Sequence, residues 1–325
     1  MSAEHRVDRR PRIVLDRLAS EMIGADAMPR KVRLTLPESY GLPPLGARIA
    51  IRARLMPVAG PVVPGGYDPR RAAYFDGIGG SGFLLGQWQV AEAPPANSSE
   101  LAIARIRSAI VARIMAAEPG EAGAVAAALL VGERSSLSEE TNESLRISGL
   151  AHILSISGLH MMLIAGAAFF LVRALLALSP PLALSRPIRK WAAVTAILVV
   201  TVYLALSGGG AATTRAYVMA VIIFSAMLLD RPAISMRNLA IAAFIVIALE
   251  PEGVAEPGFQ MSFAAVAALI AAWELWSDRE RRRLTDDDAL PGLRLLRTAR
   301  RAVLGVAATT LVAGLATAAL RRLPF

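Results

Sequence analysis

Four side chains able to do chemistry fall within nine residues of one another: His152, Ser155, Ser157 and His160, in the run AHILSISGLH of residues 151–160. A serine beside a histidine can serve as nucleophile and base, but a carboxylate must orient the imidazole. Residues 151–178 contain no acid. Two histidines without a nearby third ligand also make a poor metal site, so no metal is expected. On one continuous helix, His152 and Ser155 are neighbours at i, i+3, as are Ser157 and His160, and His152 and His160 lie two turns apart on the same side. Gly158 would then permit close helix contact or local unwinding. The polar atoms suit hydrogen bonds between helices or a lining for a translocated solute, and a Ser157–His160 hydrolase is the third reading.

A second cluster is Gly208, Gly209 and Gly210, followed by Thr213, Thr214 and Arg215. A glycine run leading into a helix with an early arginine can present backbone N–H groups and a cation to phosphate. The same pattern also suits a turn whose arginine snorkels to a membrane surface. Gln260 and Ser262, in the run PGFQMSF of residues 257–263, are a third set of polar atoms in apolar surroundings.

These residues sit in an apolar setting. Of the 325 residues 55% are hydrophobic and 19% charged, with a mean hydropathy of +0.49. Residues 150–276 hold 12 charged side chains, and the rest of the chain holds 49. A soluble two-domain protein and a disordered chain are both excluded by that balance. Because a span needs about 20 mostly apolar residues, spans are expected at 151–178, 191–207, 212–229, 238–250, 257–276 and 302–320. The fourth has only 11 uninterrupted apolar residues, 239–249, and is short enough to be re-entrant.

The loops between these segments alternate in charge. Arg186, Arg189 and Lys190 follow the first, Arg231 and Arg237 the third, and a run of arginines from Arg279 to Arg301 the fifth. Glu250, Glu252 and Glu256 follow the fourth. Basic loops are cytoplasmic by the positive-inside rule, which puts residues 1–95 on the extracytoplasmic side. Arg321 and Arg322 run against the scheme, and the polar, basic residues 1–12 do not read as a signal peptide.

Residues 1–95 alternate as strands do. Val32, Leu34 and Leu36 interleave with Arg33 and Thr35; Ile49, Ile51 and Leu55 with Arg48, Arg52 and Arg54; Phe83, Leu85 and Val90 continue the pattern. Proline- and glycine-rich stretches separate the runs. The expectation is a small antiparallel β-domain, a partly open barrel. Residues 96–149 read as helical connectors, with Arg105, Arg107 and Arg113 among Ile103, Ile106, Ile110 and Ile114. Such a helix lies on a membrane or packs on a neighbour. Ser138 reads as a helix start.

The net charge is +9, and of 35 basic residues only Lys31 and Lys190 are lysines. A GC-rich genome would account for the arginine preference without deciding where arginines sit, and a basic excess suits nucleic acid or anionic membrane. With no cysteine, disulfides and thiolate chemistry are excluded.

The run ALLVGERS of residues 128–135, then Leu137 and Ser138, then SGLAHILSISGLH of residues 148–160, resembles the entry to the membrane domain of the ComEC family of competence proteins. Further matches are Ser207 and Gly208 through Arg215 and Ala216, the run EPGFQMSF of residues 256–263, and LVAGLAT of residues 311–317. Upstream, PGGYD of residues 64–68 and Gly77 to Gly79 resemble the end of that family's OB-like domain. The resemblance runs in order over residues 12–320. It implies a polytopic α-helical membrane protein of about six spans at 150–325, a connector at 96–149 and an N-terminal small all-β (OB-like) domain at 1–95.

The implied function is moving single-stranded DNA through the cytoplasmic membrane in natural transformation. A DNA-receptor protein outside, an ATP-driven helicase inside and a homo-oligomer would be the partners, with no cofactor. An OB-like domain binds single strands with basic grooves and stacked aromatics. Arg33, Arg48, Arg52, Arg54 and Arg70 would supply charge, and Tyr74 a stacking face; a solvated strand face is the alternative for the arginines. His152, Ser155, Ser157, Gly158, His160, Arg215, Gln260 and Ser262 would line the path. Family members usually carry membrane helices before the OB-like domain, and many carry a metallo-β-lactamase-like domain after the membrane region. Neither is matched in this sequence, so the resemblance implies a chain truncated at both ends and no nuclease activity. A small-solute transporter and a nonfunctional fragment are the alternatives.

Overall fold

The computed structural model describes residues 2–4, 11–61, 63, 68–94, 99–134, 136–148, 150, 156–283 and 314. The chain divides into two compact units, one of residues 1–156 with 205–209, the other of residues 157–204 with 210–325.

The first unit begins with strands β1 (Ser2–Glu4), β2 (Arg12–Asp16), β3 (Lys31–Thr35), β4 (Arg48–Ala50), β5 (Ala53–Met56), β6 (Ile78–Leu84) and β7 (Gln89–Glu92). Five of them form a sheet in the order β1-β2-β3-β6-β5, while β4 pairs with β7. The sheet departs from the antiparallel expectation at one junction, where β3 runs parallel to β6. The helix α1 (Pro69–Phe75) lies between β5 and β6 in sequence, and a parallel pair needs a longer connection than a hairpin supplies. Val32 and Leu34 are buried on one face of β3, as the alternation requires, and join Ile13, Leu15, Leu36 and Leu84 in the core. In β6 the phase is opposite to expectation: Leu84 is buried, whereas Phe83 and Leu85 are exposed. A one-residue shift of register exchanges the two faces, and the pairing of Arg54 with Phe83 sets it here. Trp88 packs beneath this core and donates its indole N–H to the Tyr40 carbonyl at 3.0 Å.

The connector forms α2 (Ser99–Ala117), α3 (Glu121–Val131) and α4 (Glu139–Ile147). The α2 helix packs on α3, whose Ala124, Ala127, Ala128 and Val131 are buried. Ser138 caps α4 by accepting the Thr141 backbone N–H at 3.1 Å, as its position predicted.

The second unit is helical: α5 (Gly158–Ala177), α6 (Pro180–Ser185), α7 (Ile188–Ser207), α8 (Ala211–Leu228), α9 (Met236–Leu249) and α10 (Pro257–Arg283). Among the described residues α5, α7 and α8 are long and apolar enough to cross a membrane. At 14 residues α9 would extend about 21 Å, short of a bilayer core of about 30 Å. The segment expected at 302–320 lies outside the described residues. Small side chains bring the helices together: Ala192, Ala193 and Ala196 on α7 are fully buried, as are Ala165 on α5 and Ala220 on α8. Phe169 on α5 meets Phe224 on α8 with ring centroids 5.7 Å apart. Large residues point outward instead, among them Phe170, Leu198, Val202 and Phe244.

Candidate functional site

Arg215 sits in the second turn of α8 and is only 8% exposed. Its Nε has no hydrogen-bond partner among the described residues. A buried guanidinium is expensive unless charge or dipoles offset it. The carboxylates of Glu256 and Glu250, in the loop between α9 and α10, interact with its charge. Gly258, the second residue of α10, makes room for it: a Cβ there would lie 3.2 Å from Arg215 Nη2. The guanidinium therefore rests against the start of α10. Gln260 turns back from that turn and donates its Nε2 to the Val254 carbonyl at 3.1 Å. Ser262, half-buried, lies four residues from Gly258 and so on the same face of α10.

The start of α5 reaches the same place. A Cβ on Gly158 would lie 3.7 Å from the Ala216 methyl, one residue beyond Arg215. From there α5 and α8 run in the same direction, since Phe169 meets Phe224 further along. The α10 helix does likewise: Gly258 faces Arg215, while Val266 and Ile270 share a groove with Met219 and Ile223. The start of α10 thus meets the buried arginine of α8, and the start of α5 meets the residue that follows it. Each N-terminus carries partial positive charge and backbone N–H groups without helical partners. An arginine beside the start of α10 attracts anions, and the Glu256 and Glu250 carboxylates act on the same charge.

The serine–histidine run departs from the continuous helix expected over 151–178. The helix begins at Gly158, with Ile156 and Ser157 outside it. Ser157, at φ −106° and ψ 172°, is the extended residue at the helix start. His160 turns back to it: Nδ1 accepts the Ser157 backbone N–H at 3.3 Å and lies 3.1 Å from Ser157 Oγ. With Nδ1 accepting, the neutral ring carries its proton on Nε2. This reciprocal arrangement is the histidine version of a capping box. His152 and Ser155 lie outside the described residues. Among the described residues no three His, Asp or Glu side chains group as metal ligands.

In the first unit a different arginine meets the glycine turn. Arg107 on α2 extends Nη2 to within 3.4 Å of the Val131 carbonyl at the end of α3. A Cβ on Gly208 would fall 3.0 Å from the same Nη2, and Gly208 holds φ at +84°. Gly132, next to Val131, lies against the Ser207 carbonyl. The helix α2 therefore uses Arg107 to pack on a neighbour rather than to lie on a surface. The spacing of α2 did not set Arg107 apart from Arg105 and Arg113; the end of α3 and the return of the chain at 205–209 supply its environment.

The arginines of the β-domain are spread over the surface. Arg70 forms a fork with Asp68, Nη2 to Oδ2 at 2.7 Å and Nε to Oδ1 at 2.9 Å. This hydrogen bonding raises the arginine's pKa and lowers that of Asp68. Arg48 pairs with Glu92 at 3.1 Å, and Arg33, half-buried, is 3.9 Å from Asp76. Arg52 and Arg54 are exposed. Tyr74 is 78% exposed and meets Phe75 edge-on at 5.4 Å.

Taken by itself, then, the molecule is mostly helical, with three helices fit to cross a membrane, a small N-terminal sheet and a buried cation where helix ends gather. The comparisons name its family. The model of the Competence protein family matches residues 129–323, more than half of the chain. Similar proteins include competence protein ComA of Neisseria gonorrhoeae, 32% identical over 231 residues, covering 70% of this chain and 33% of that protein. ComE operon protein 3 of Bacillus subtilis (strain 168) is 25% identical over 214 residues, covering 64% of this chain and 25% of that protein. No solved structure matches. The chain belongs to the ComEC family of competence proteins, and it spans about a third and a quarter of the lengths of these two relatives.

Proposed function

We propose that this chain is part of a cytoplasmic-membrane channel that takes up single-stranded DNA in natural transformation, and that the phosphodiester backbone passes the gathered starts of α5, α8 and α10. The observation that carries this reading is Arg215, buried beside Gly258 in a helix long and apolar enough to span a membrane. Ionisable residues at membrane depth mark a pathway by default, and helix starts with an arginine select for phosphate. Only 17–39% of the apolar windows of α5, α7 and α8 is buried within the chain, which leaves their surfaces to lipid.

Topology agrees with this reading. By the positive-inside rule the two loops that flank α9 have Arg231 and Arg237 on the cytoplasmic side and Glu250 and Glu256 on the extracytoplasmic side in this reading. Arg215 then faces arriving DNA, on the side where Glu250 and Glu256 act on its charge. The β-domain lies outside, where exposed Arg52, Arg54 and Tyr74 give single strands charge and a stacking face. A DNA receptor outside, an ATP-driven helicase inside and further copies of the chain complete the apparatus in this reading, and no enzymatic activity is assigned to it.

The test is cytoplasmic uptake of labelled DNA in a competent host that lacks its own full-length relative, carrying this chain or a version extended at both ends. Uptake that depends on Arg215 in either form supports the reading. Wild-type uptake with Arg215→Glu, at unchanged protein level in the membrane, would sink it.

A further inference from the structure

From one turn beyond Arg215, α8, α9 and α10, with Met162 of α5, line a groove of about 380 Å3 that runs to Ala233 and Asn238. It is lined by Met219, Ile223, Leu239, Val266, Ile270 and Trp273. Its two polar neighbours are already engaged. Asn238 donates Nδ2 to the Pro232 and Ala233 carbonyls at 2.8 and 2.9 Å, and Ser235 Oγ accepts the Asn238 backbone N–H at 3.2 Å. Apart from Ser235 and Asn238 the lining is apolar, so the groove suits a hydrocarbon chain.

The end of the groove is different. Ala233 and Asn238 line it, and Arg231 and Arg237 stand two and one residues away from them. Both arginines are exposed, and neither has an ion-pair partner among the described residues. The nearest carboxylate in sequence, Asp230, is held by Lys190 at 2.6 Å. Trp273, 66% exposed, stands at the same end, as an indole does at a membrane interface. Apolar interior, amphipathic rim and two free cations at the cytoplasmic face fit one occupant. We infer that an anionic phospholipid binds here, an acyl chain in the groove and its headgroup phosphate against Arg231 and Arg237. The inference rests on the reading that these helices span a membrane.

The experiment is native mass spectrometry of the full chain released from nanodiscs of phosphatidylglycerol or of phosphatidylcholine, with carbonate extraction of the same membranes run in parallel. Retained phosphatidylglycerol should exceed phosphatidylcholine by about tenfold, the scale set by two surface cations. The double variant Arg231→Gln/Arg237→Gln should abolish that preference, and Leu239→Trp, which fills the groove, should remove retained lipid of both kinds. Equal retention of the two lipids, a preference that survives the double variant, or retention unchanged by Leu239→Trp would each overturn the inference while leaving the membrane reading intact. Release of the chain by carbonate would overturn both.

Discussion

Arg48 and Arg215 carry the same guanidinium and are held in opposite ways. Arg48 lies on an edge pair of the β-domain, open to water, with Glu92 at 3.1 Å. Surface pairs of that kind contribute about 0–1 kcal/mol and exchange readily with other ions. Arg215 is withdrawn from water, rests against the start of α10 and keeps an Nε without a hydrogen bond among the described residues. An arginine on a strand face needs no function to persist, because water solvates it. One in an apolar helix is tolerated only where dipoles and carboxylates are arranged around it. Arginine content therefore says little about function in this chain, and arginine surroundings say a great deal.

The sharpest way to break that comparison is to neutralise each site in turn. Arg215→Gln should lower DNA uptake by about a hundredfold, the loss of roughly 2.7 kcal/mol of charge-assisted phosphate contact. The double variant Arg48→Gln/Arg70→Gln should stay within about twofold, as rim charges already paired to carboxylates should. Equal losses would mean that the surroundings of an arginine do not set its weight in uptake, and a loss in the double variant alone would assign uptake to the β-domain.

Gly258 sharpens it next. Gly258→Ala places a methyl 3.2 Å from Arg215 Nη2, so the guanidinium must shift by a few tenths of an ångström. Uptake should fall by about threefold to tenfold, on the scale of 1 kcal/mol, with membrane protein level unchanged. Indifference to this change would show that the arginine does not work from the position it occupies.

His160 separates capping from transport. His160→Ala removes the reciprocal cap with Ser157 and should cost about 1 kcal/mol of helix stability, read as a lower melting temperature. His160→Gln restores an acceptor at the same place and should recover that stability. Uptake recovered together with stability assigns the imidazole to the helix start; stability recovered without uptake assigns it to the path.

The smallest effect belongs to Glu121 in the connector. Hydrogen bonds from Ser138 and then Thr141 hold its carboxyl below the ordinary 4.5. A depressed carboxylate contributes stability above the ordinary value and loses it as pH falls through the depressed one. Glu121→Gln should therefore leave thermal stability less sensitive to acid below pH 4.5, with little change at neutral pH.

Composition and pattern were enough to separate a β-domain from an apolar helical unit, because period-2 alternation and long uncharged runs are local properties. Val32 and Leu34 fell on the buried face as read, and Ser138 began its helix. The run at 151–160 was read as helix because it is apolar, but capping is decided by where backbone N–H groups find acceptors, and Ser157 with His160 stops the helix at Gly158. Phe83 was placed inside by its type, yet strand pairing with β5 turned it out.

Sequence by itself determined which residues are polar in an apolar setting, and so singled out Arg215, Gly258's neighbours and the serine–histidine run. It also determined the alternation of basic and acidic loops from which topology is read. Only the tertiary structure decided that the start of α10 meets Arg215 and the start of α5 the residue after it, that Glu250 and Glu256 answer its charge, and that Arg107 meets Gly208. Those relations join residues 35 to 101 positions apart. Periodicity reports the face a residue occupies on its own helix; which other helix that face meets depends on how small residues such as Ala165, Ala196 and Ala220 let the helices approach.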